Sequence, residues 1–191
     1  MAETFQDIAV PSRADCLSLM EQYDMLPNIR EHSLLVTAVA LELGSALQET
    51  GIPLHLPLIE AGALLHDIGK TACLGTSRNH ADWGAQIVDS VGYPEVAELV
   101  REHIVVSDGG DPTVIQEAEI VNYADKRVLH TQVVTLAVRF ADLEERYAKS
   151  REARRHLAAL AEKARRLEAK LFSHLDFTPY DLLHLNYDNH A

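Results

Sequence analysis

Leu64-Leu65-His66-Asp67-Ile68-Gly69-Lys70 is the stretch that decides how this chain reads. It overlaps an apolar segment, Pro57 to Asp67 (PLIEAGALLHD), that predicts a helix opened by its proline and ending near Ile68-Gly69. Adjacent helical residues diverge by about 100°, so a neighbouring His and Asp reach one site only where the helix ends. Gly69 predicts that ending. An imidazole nitrogen and a carboxylate oxygen are good ligands for a divalent transition metal, and a carboxylate can bridge two ions. Taken alone, the pair fits equally a buried histidine beside a capping aspartate.

Helix signals continue outward on both sides. Ser12 to Tyr23 predicts a first helix, and Asn28 can cap a second carrying Ile29, His32, Val36, Val39 and Leu43 at spacings of three and four. Asn79 can cap a fourth (HADWGAQIVDSV), and Gly92 ends it. Pro94 starts a fifth (PEVAELVREHIV). Asp111 and Pro112 begin a sixth that runs through NYADKRVL, and residues from about Thr131 to Phe172 read as one long helix with at most a kink. No segment alternates as a strand does. The expectation is an all-α helical bundle. Residues 1–135 form the domain that bears the chemistry, and residues 136–191 form a helical extension packed on that domain or at a dimer interface. Leu157, Leu160, Ala164, Leu167 and Leu171 supply the apolar stripe for either arrangement, a homodimer through this helix included.

Composition narrows the function classes. With 191 residues, 47% of them apolar, the chain is long enough for one sizeable core. Two cysteines, Cys16 and Cys73, form no paired motif, which fits a reducing cytoplasmic setting and argues against a thiolate metal site. The amino terminus lacks the pattern of a signal peptide, and no apolar run suits a membrane span. The net charge of −12 disfavours nonspecific nucleic-acid binding. That charge is uneven. Residues 1–138 hold 7 Lys/Arg and 20 Asp/Glu, a balance of −13, while residues 139–170 hold 10 and 6, a balance of +4.

Further metal-type side chains recur on the inward lines of separate helices. His32 lies on the apolar stripe of the second helix, His80 at the start of the fourth, His103 on the apolar line of the fifth and Asp125 on that of the sixth. Taken singly, His32 and His103 also fit satisfied core histidines, His80 an exposed helix start, and Asp125 a salt-bridge partner of Lys126 or Arg127. Together they are harder to explain as packing, because burying several polar groups is costly unless they share a ligand. Lys70, Arg78, Lys126 and Arg127 can contact phosphate, and each also fits a surface charge. Trp83 and Tyr123 fit core packing better than base stacking. His130 and His190 have no supporting pattern, and Gly109-Gly110 lacks the spacing of a phosphate-binding loop.

With LLHDIGK preceded by IREHSLL and followed by HADWGA, VREHIV and NYADK, residues 28 to 130 resemble the HD superfamily of metal-dependent phosphohydrolases, in its HDIG branch. The resemblance implies an all-helical HD fold with a central metal site. It implies His32, His66, Asp67 and Asp125 around a first ion, and Asp67, His80 and His103 around a second, with Asp67 bridging. Two cations of this kind polarise phosphate oxygens and acidify a water into a nucleophile near neutral pH. The catalytic residues would be Asp67 and Lys70, and Lys70, Arg78 and Lys126 would meet substrate. Fe, Mn, Ni, Co and Zn all suit such ligands.

The implied substrate is a phosphorylated small molecule, a nucleotide or dinucleotide. The segment His80-x-x-x-Gly84-Ala85 is similar to an HD group that cleaves dinucleoside tetraphosphates symmetrically. That group follows its last Asp with an acidic residue, a proline and an arginine, whereas this chain reads Asp125-Lys126-Arg127-Val128. Gly92-Tyr93-Pro94 spells a motif of the cyclic-dinucleotide branch but reads here as a helix break and restart. Two other readings stand beside hydrolysis: a nucleotide-sensing module that binds at the metal site, and a structural helical dimer with a bound metal.

Overall fold

The computed structural model describes residues 8–107, 111 and 113–185. Gly109, Gly110, Pro112 and His190 lie outside the described residues. The helices are α1 (Arg13–Gln22), α2 (Pro27–Glu49), α3 (Leu56–Leu65), the single turn α4 (Lys70–Cys73), α5 (His80–Ser90), α6 (Pro94–Glu102) and α7 (Glu117–Arg127). A two-stranded hairpin, β1 (Val128–Leu129) and β2 (Gln132–Val133), leads to α8 (Leu136–Tyr147) and α9 (Arg151–Phe172). A 3-10 segment, Pro179–His184, follows.

α3 is the centre of the bundle. Seven of its ten residues are buried, and it packs against α1, α2, α6 and α7. A helix apolar on every side belongs in the middle of a core. Gly62 permits the approach of α6, since a Cβ there would sit 2.7 Å from the Leu99 side chain. α2 lays Val36, Val39, Leu43 and Leu47 against this centre, all with no exposed surface. Its first turn begins at Pro27, ahead of Asn28, because proline's fixed φ is already helical.

After α6, three boundaries differ from the sequence expectation, each for a local reason. The sixth predicted helix, α7, starts only at Glu117, because Asp111 Oδ1 accepts from the Thr113 amide at 2.9 Å and closes a side-chain turn. Gln116 and Glu119 then form the capping box. The stretch after Arg127 pairs as a hairpin, Val128 with Val133 and Leu129 with Gln132, and His130 takes a positive φ of 56° in its turn. The expected single helix from Thr131 to Phe172 is therefore a hairpin strand followed by two helices. Thr135 caps α8, and Ser150 caps α9 by accepting from the Ala153 amide at 3.0 Å.

The apolar stripe of α9 turns inward. Ala164 and Leu171 are buried, Leu160 and Leu167 line a cavity against α7, and the helix packs along α7 and α8. No described helix is long and apolar enough to cross a membrane.

Candidate metal centre

Six side chains from five places in the chain meet beside α3. α2 supplies His32, the turn after α3 supplies His66 and Asp67, the first residue of α5 is His80, the residue after α6 is His103, and α7 supplies Asp125. α3 stops at Leu65, short of the end expected near Ile68-Gly69, because the chain tightens there, with Ile68 N donating to Leu65 O at 3.0 Å, and His66 and Asp67 both reach the site. Gly69 does not end α3 through a left-handed turn as expected, because its φ is −80°. Its role is close approach. A Cβ on Gly69 would lie 2.6 Å from both the Gly84 amide nitrogen and the His80 carbonyl, so the missing side chain lets α5 bring His80 to Asp67.

The imidazoles are aimed by backbone carbonyls. His66 and His103 each sit just past a helix, where carbonyls lack partners. His66 Nδ1 donates to Ala63 O at 2.7 Å and His103 Nδ1 to Val100 O at 2.6 Å. His32 Nδ1 donates to His130 O at 3.2 Å. These bonds select the tautomer with the proton on Nδ1 and leave an Nε2 lone pair facing inward. His130 thus matters through its carbonyl, which no side-chain pattern could show.

The inward atoms crowd together. His32 Nε2 lies 3.1 Å from Asp125 Oδ1, and His66 Nε2 lies 3.4 Å from Asp67 Oδ2 and 3.7 Å from Asp125 Oδ1. His80 Nε2 and His103 Nε2 lie 3.2 and 3.7 Å from Asp67 Oδ1, and 3.2 Å from each other. Lone pairs on carboxylates and neutral imidazoles repel at such distances unless a proton or a metal cation sits among them. His66 Nε2 and Asp67 Oδ1 are buried and have no hydrogen-bond partner. Orphaned buried atoms carry a desolvation cost that a ligand would remove. Among the described residues, two donor sets have atoms within 4.8 Å of one another: His32, His66 and Asp67, and then Asp67, His80 and His103. Asp67 belongs to both. The residues present fit a divalent-metal site in donor type and in convergence.

Protonation follows the same logic. Burial alone would raise Asp67, but His66, His80 and Lys70 around it hold its carboxyl well below the usual range. Burial would likewise raise Asp125, and Lys126 and His32 reverse the shift. Burial, then the neighbouring His66, push His103 down to about 3. His66 moves the other way: burial is outweighed by Asp67, and its pKa rises.

The expected phosphate contacts separate into three situations. Lys70 Nζ donates to Asp67 Oδ2 at 2.7 Å, with its side chain 39% exposed on the same open flank as His80. Arg78 is exposed and stacks over Trp83 at 5.0 Å, just before α5. Lys126 is buried, and its ammonium donates to His103 O and to Asp125 Oδ2, the latter at 3.2 Å. Arg127 is no surface charge: it has no exposed surface, and it joins Tyr123, Val134 O and Pro179 O. Tyr123 packs in the core as expected, with its hydroxyl on Glu168. Asn122, on the same inward line as Asp125 but given no role by the sequence, donates from Nδ2 to Glu102 O and His103 O.

Comparison with known proteins agrees with this geometry. The chain is 30% identical over 136 residues to an uncharacterized protein of Methanocaldococcus jannaschii, covering 64% of this chain and 79% of that one. It is 32% identical over 96 residues to a tRNA (cytidine(56)-2'-O)-methyltransferase of Thermoplasma volcanium, and 34% identical over 99 residues to Ribonuclease Y of Treponema denticola. These matches take in 50% and 51% of this chain but only 26% and 18% of the longer relatives. No solved structure matches the chain significantly. The HD domain pattern matches residues 29–176, a span that contains all six converging residues, and the chain belongs to the HD domain family.

Proposed function

We propose that this protein is a metal-dependent phosphohydrolase that cleaves a phosphate ester or anhydride of a nucleotide or dinucleotide, with the site carried by residues 1–135. The observation that carries the reading is the buried, partnerless pair of His66 Nε2 and Asp67 Oδ1 at the focus of four imidazoles and two carboxylates. His32, His66, Asp67 and Asp125 would hold one divalent ion and Asp67, His80 and His103 a second. Such ions supply Lewis acidity toward phosphate and lower the pKa of water.

The chain's own residues do the rest. The three carbonyl bonds on His32, His66 and His103 fix each ring before any ligand arrives, so little reorganisation is left. Lys70, on the open flank, neutralises Asp67 and can turn its ammonium toward a phosphate oxygen as charge develops. Arg78 stands over Trp83 near the same opening and suits a distal phosphate. The net charge of −12 favours a small substrate over a nucleic acid.

A substrate screen tests this. Dinucleoside tetraphosphates, nucleoside polyphosphates, cyclic dinucleotides and bis(p-nitrophenyl) phosphate are offered with Mn²⁺ or Fe²⁺. Turnover of at least one nucleotide, abolished by chelation, is the expected result. Tight nucleotide binding with no turnover of any of them would favour the sensing module instead.

A further inference from the structure

α6 ends at Glu102, and carbonyls at a helix end need partners from elsewhere. α7 supplies them. Asn122 and Lys126 are four residues apart, so they share a face of α7, and both donate to His103 O. Asn122 Nδ2 also donates to Glu102 O at 3.0 Å. Asp125, one residue before Lys126, places Oδ1 among the histidines instead. The Lys126 ammonium reaches back to it and donates to Oδ2 at 3.2 Å. One buried cation thus joins Asp125, beside His32 and His66, to His103, beside His80.

The two carboxylates of the centre share a pattern. Each has one oxygen that meets only imidazoles and another that accepts from an ammonium: Asp67 Oδ2 from Lys70 at 2.7 Å, and Asp125 Oδ2 from Lys126. They differ in how firmly that ammonium is held. The Lys70 side chain is 39% exposed and can leave for solvent or a phosphate. The Lys126 side chain is 10% exposed and is also tied to His103 O, so leaving would break two bonds in a low dielectric.

We propose that Lys126 is a fixed internal cation, not a phosphate contact, and that it restricts Asp125 to a single metal-facing oxygen, Oδ1; the proposal rests on the two-ion reading above. With Oδ2 held by the ammonium, Asp125 offers an ion one oxygen and not two. A coordination position is then left for water or a substrate oxygen, as a catalytic ion requires. The buried positive charge also opposes an incoming divalent ion, which keeps affinity below what the donors alone would give. Asn122 holds the same His103 carbonyl without charge, so it positions His103 and has neither effect.

The test titrates the full chain with Mn²⁺ after dialysis against chelator. It reads calorimetric affinity, and water-proton relaxation per bound ion, which reports the waters left on the metal. Lys126→Gln removes the charge and keeps a polar end, whereas Lys126→Met removes both. In a variant with wild-type circular dichroism in the presence of Mn²⁺, at least one binding step should tighten about tenfold or more, equivalent to about 1.4 kcal/mol. Relaxation enhancement per ion should fall, because Oδ2 takes the place of a water. Asn122→Ala should show neither change. Unchanged or weaker Mn²⁺ binding in both Lys126 variants would overturn the proposal, as would their failure to fold with Mn²⁺ present, since Lys126 would then be a structural tie. Tightening without a fall in relaxation, or the same tightening in Asn122→Ala, would also overturn it. A wild type that binds no Mn²⁺ would overturn the metal centre itself, and this proposal with it.

Discussion

Asp125, Lys126 and Arg127 are consecutive on α7, yet they belong to two buried polar clusters of opposite character. On one side, Asp125 enters the histidine cluster, where His66 Nε2 and Asp67 Oδ1 have no hydrogen-bond partner. On the other, every side-chain nitrogen of Arg127 has a partner. Its Nε donates to Val134 O at 2.7 Å, Nη2 to Pro179 O at 2.7 Å and Nη1 to Tyr123, whose hydroxyl donates to Glu168. Both clusters paid the desolvation of burial, but only one recovers it from the protein alone. A satisfied buried network holds elements together, here α7, the residue after β2, α9 and the 3-10 segment. An unsatisfied one made of metal-type donors has the composition of a metal site.

Chelation breaks the comparison most strongly. Exhaustive removal of divalent ions should lower hydrolysis on the order of 10³-fold or more. It should also lower the thermal midpoint, since ions at about 100 times their Kd stabilise by about 2.7 kcal/mol. Re-addition of Mn²⁺ or Fe²⁺ should restore both, and a chelated protein of unchanged stability and activity would place the cluster in the structural class. Arg127→Met tests the other side. Leaving Glu168 and the carbonyls without their cation should cost about 3–5 kcal/mol in denaturant unfolding. Metal content per folded molecule should stay at the wild-type level, and metal loss at full stability would merge the two clusters into one.

Gly69→Ala sharpens the division inside the metal centre. The added methyl meets the backbone of His80 and Gly84, so α5 must shift, at about 1–3 kcal/mol. The set Asp67, His80 and His103 should weaken more than the set His32, His66 and Asp67. Calorimetry should show one of two Mn²⁺ binding steps lost, and equal weakening of both would contradict the division.

The smallest expected effect is pH-dependent. In the unfolded chain His103 takes a proton near 6.5, whereas the folded cluster refuses it until about 3. The neutral, buried form is therefore penalised as pH falls below 6.5, and the loss continues toward 3. His66, whose pKa is raised, works in the opposite direction. The comparison between metal-free wild type and His103→Asn isolates the first term. Wild type should lose about 1.4 kcal/mol per pH unit relative to the variant below about 6. Parallel stability curves for the two proteins would contradict a neutral His103.

Much of the cluster was legible because its side chains fall on inward helical lines: His32 beside Ile29 and Val36, His103 beside Val96 and Val100, Asp125 beside Asn122 and Leu129. That a helix end lies beside His66 and Asp67 was legible from the need to bring both to one place, but it falls at Leu65 and not near Ile68-Gly69. Other features depend on backbone that side-chain periodicity does not report. The His130 carbonyl reaches His32 only because a hairpin replaces the helix start expected at Thr131. The true reason for Gly69, the approach of α5, needs the position of a helix eleven residues away in sequence. The burial of Arg127 required knowing that Tyr123, Val134 and Pro179 converge, over separations of up to 52 residues. The division of α8 from α9 was available in principle, since Ser150 is a good N-cap, but the surrounding run of helix formers masked it.

The central claim is that Asp67 is the shared ligand of a two-ion centre, and metal analysis of Asp67→Ala beside wild type tests it most directly. Both proteins are purified without chelator, and their folding is compared by circular dichroism. The account predicts two divalent ions per wild-type chain and near-complete loss of both from the variant. A folded Asp67→Ala protein that keeps its full metal content would contradict it.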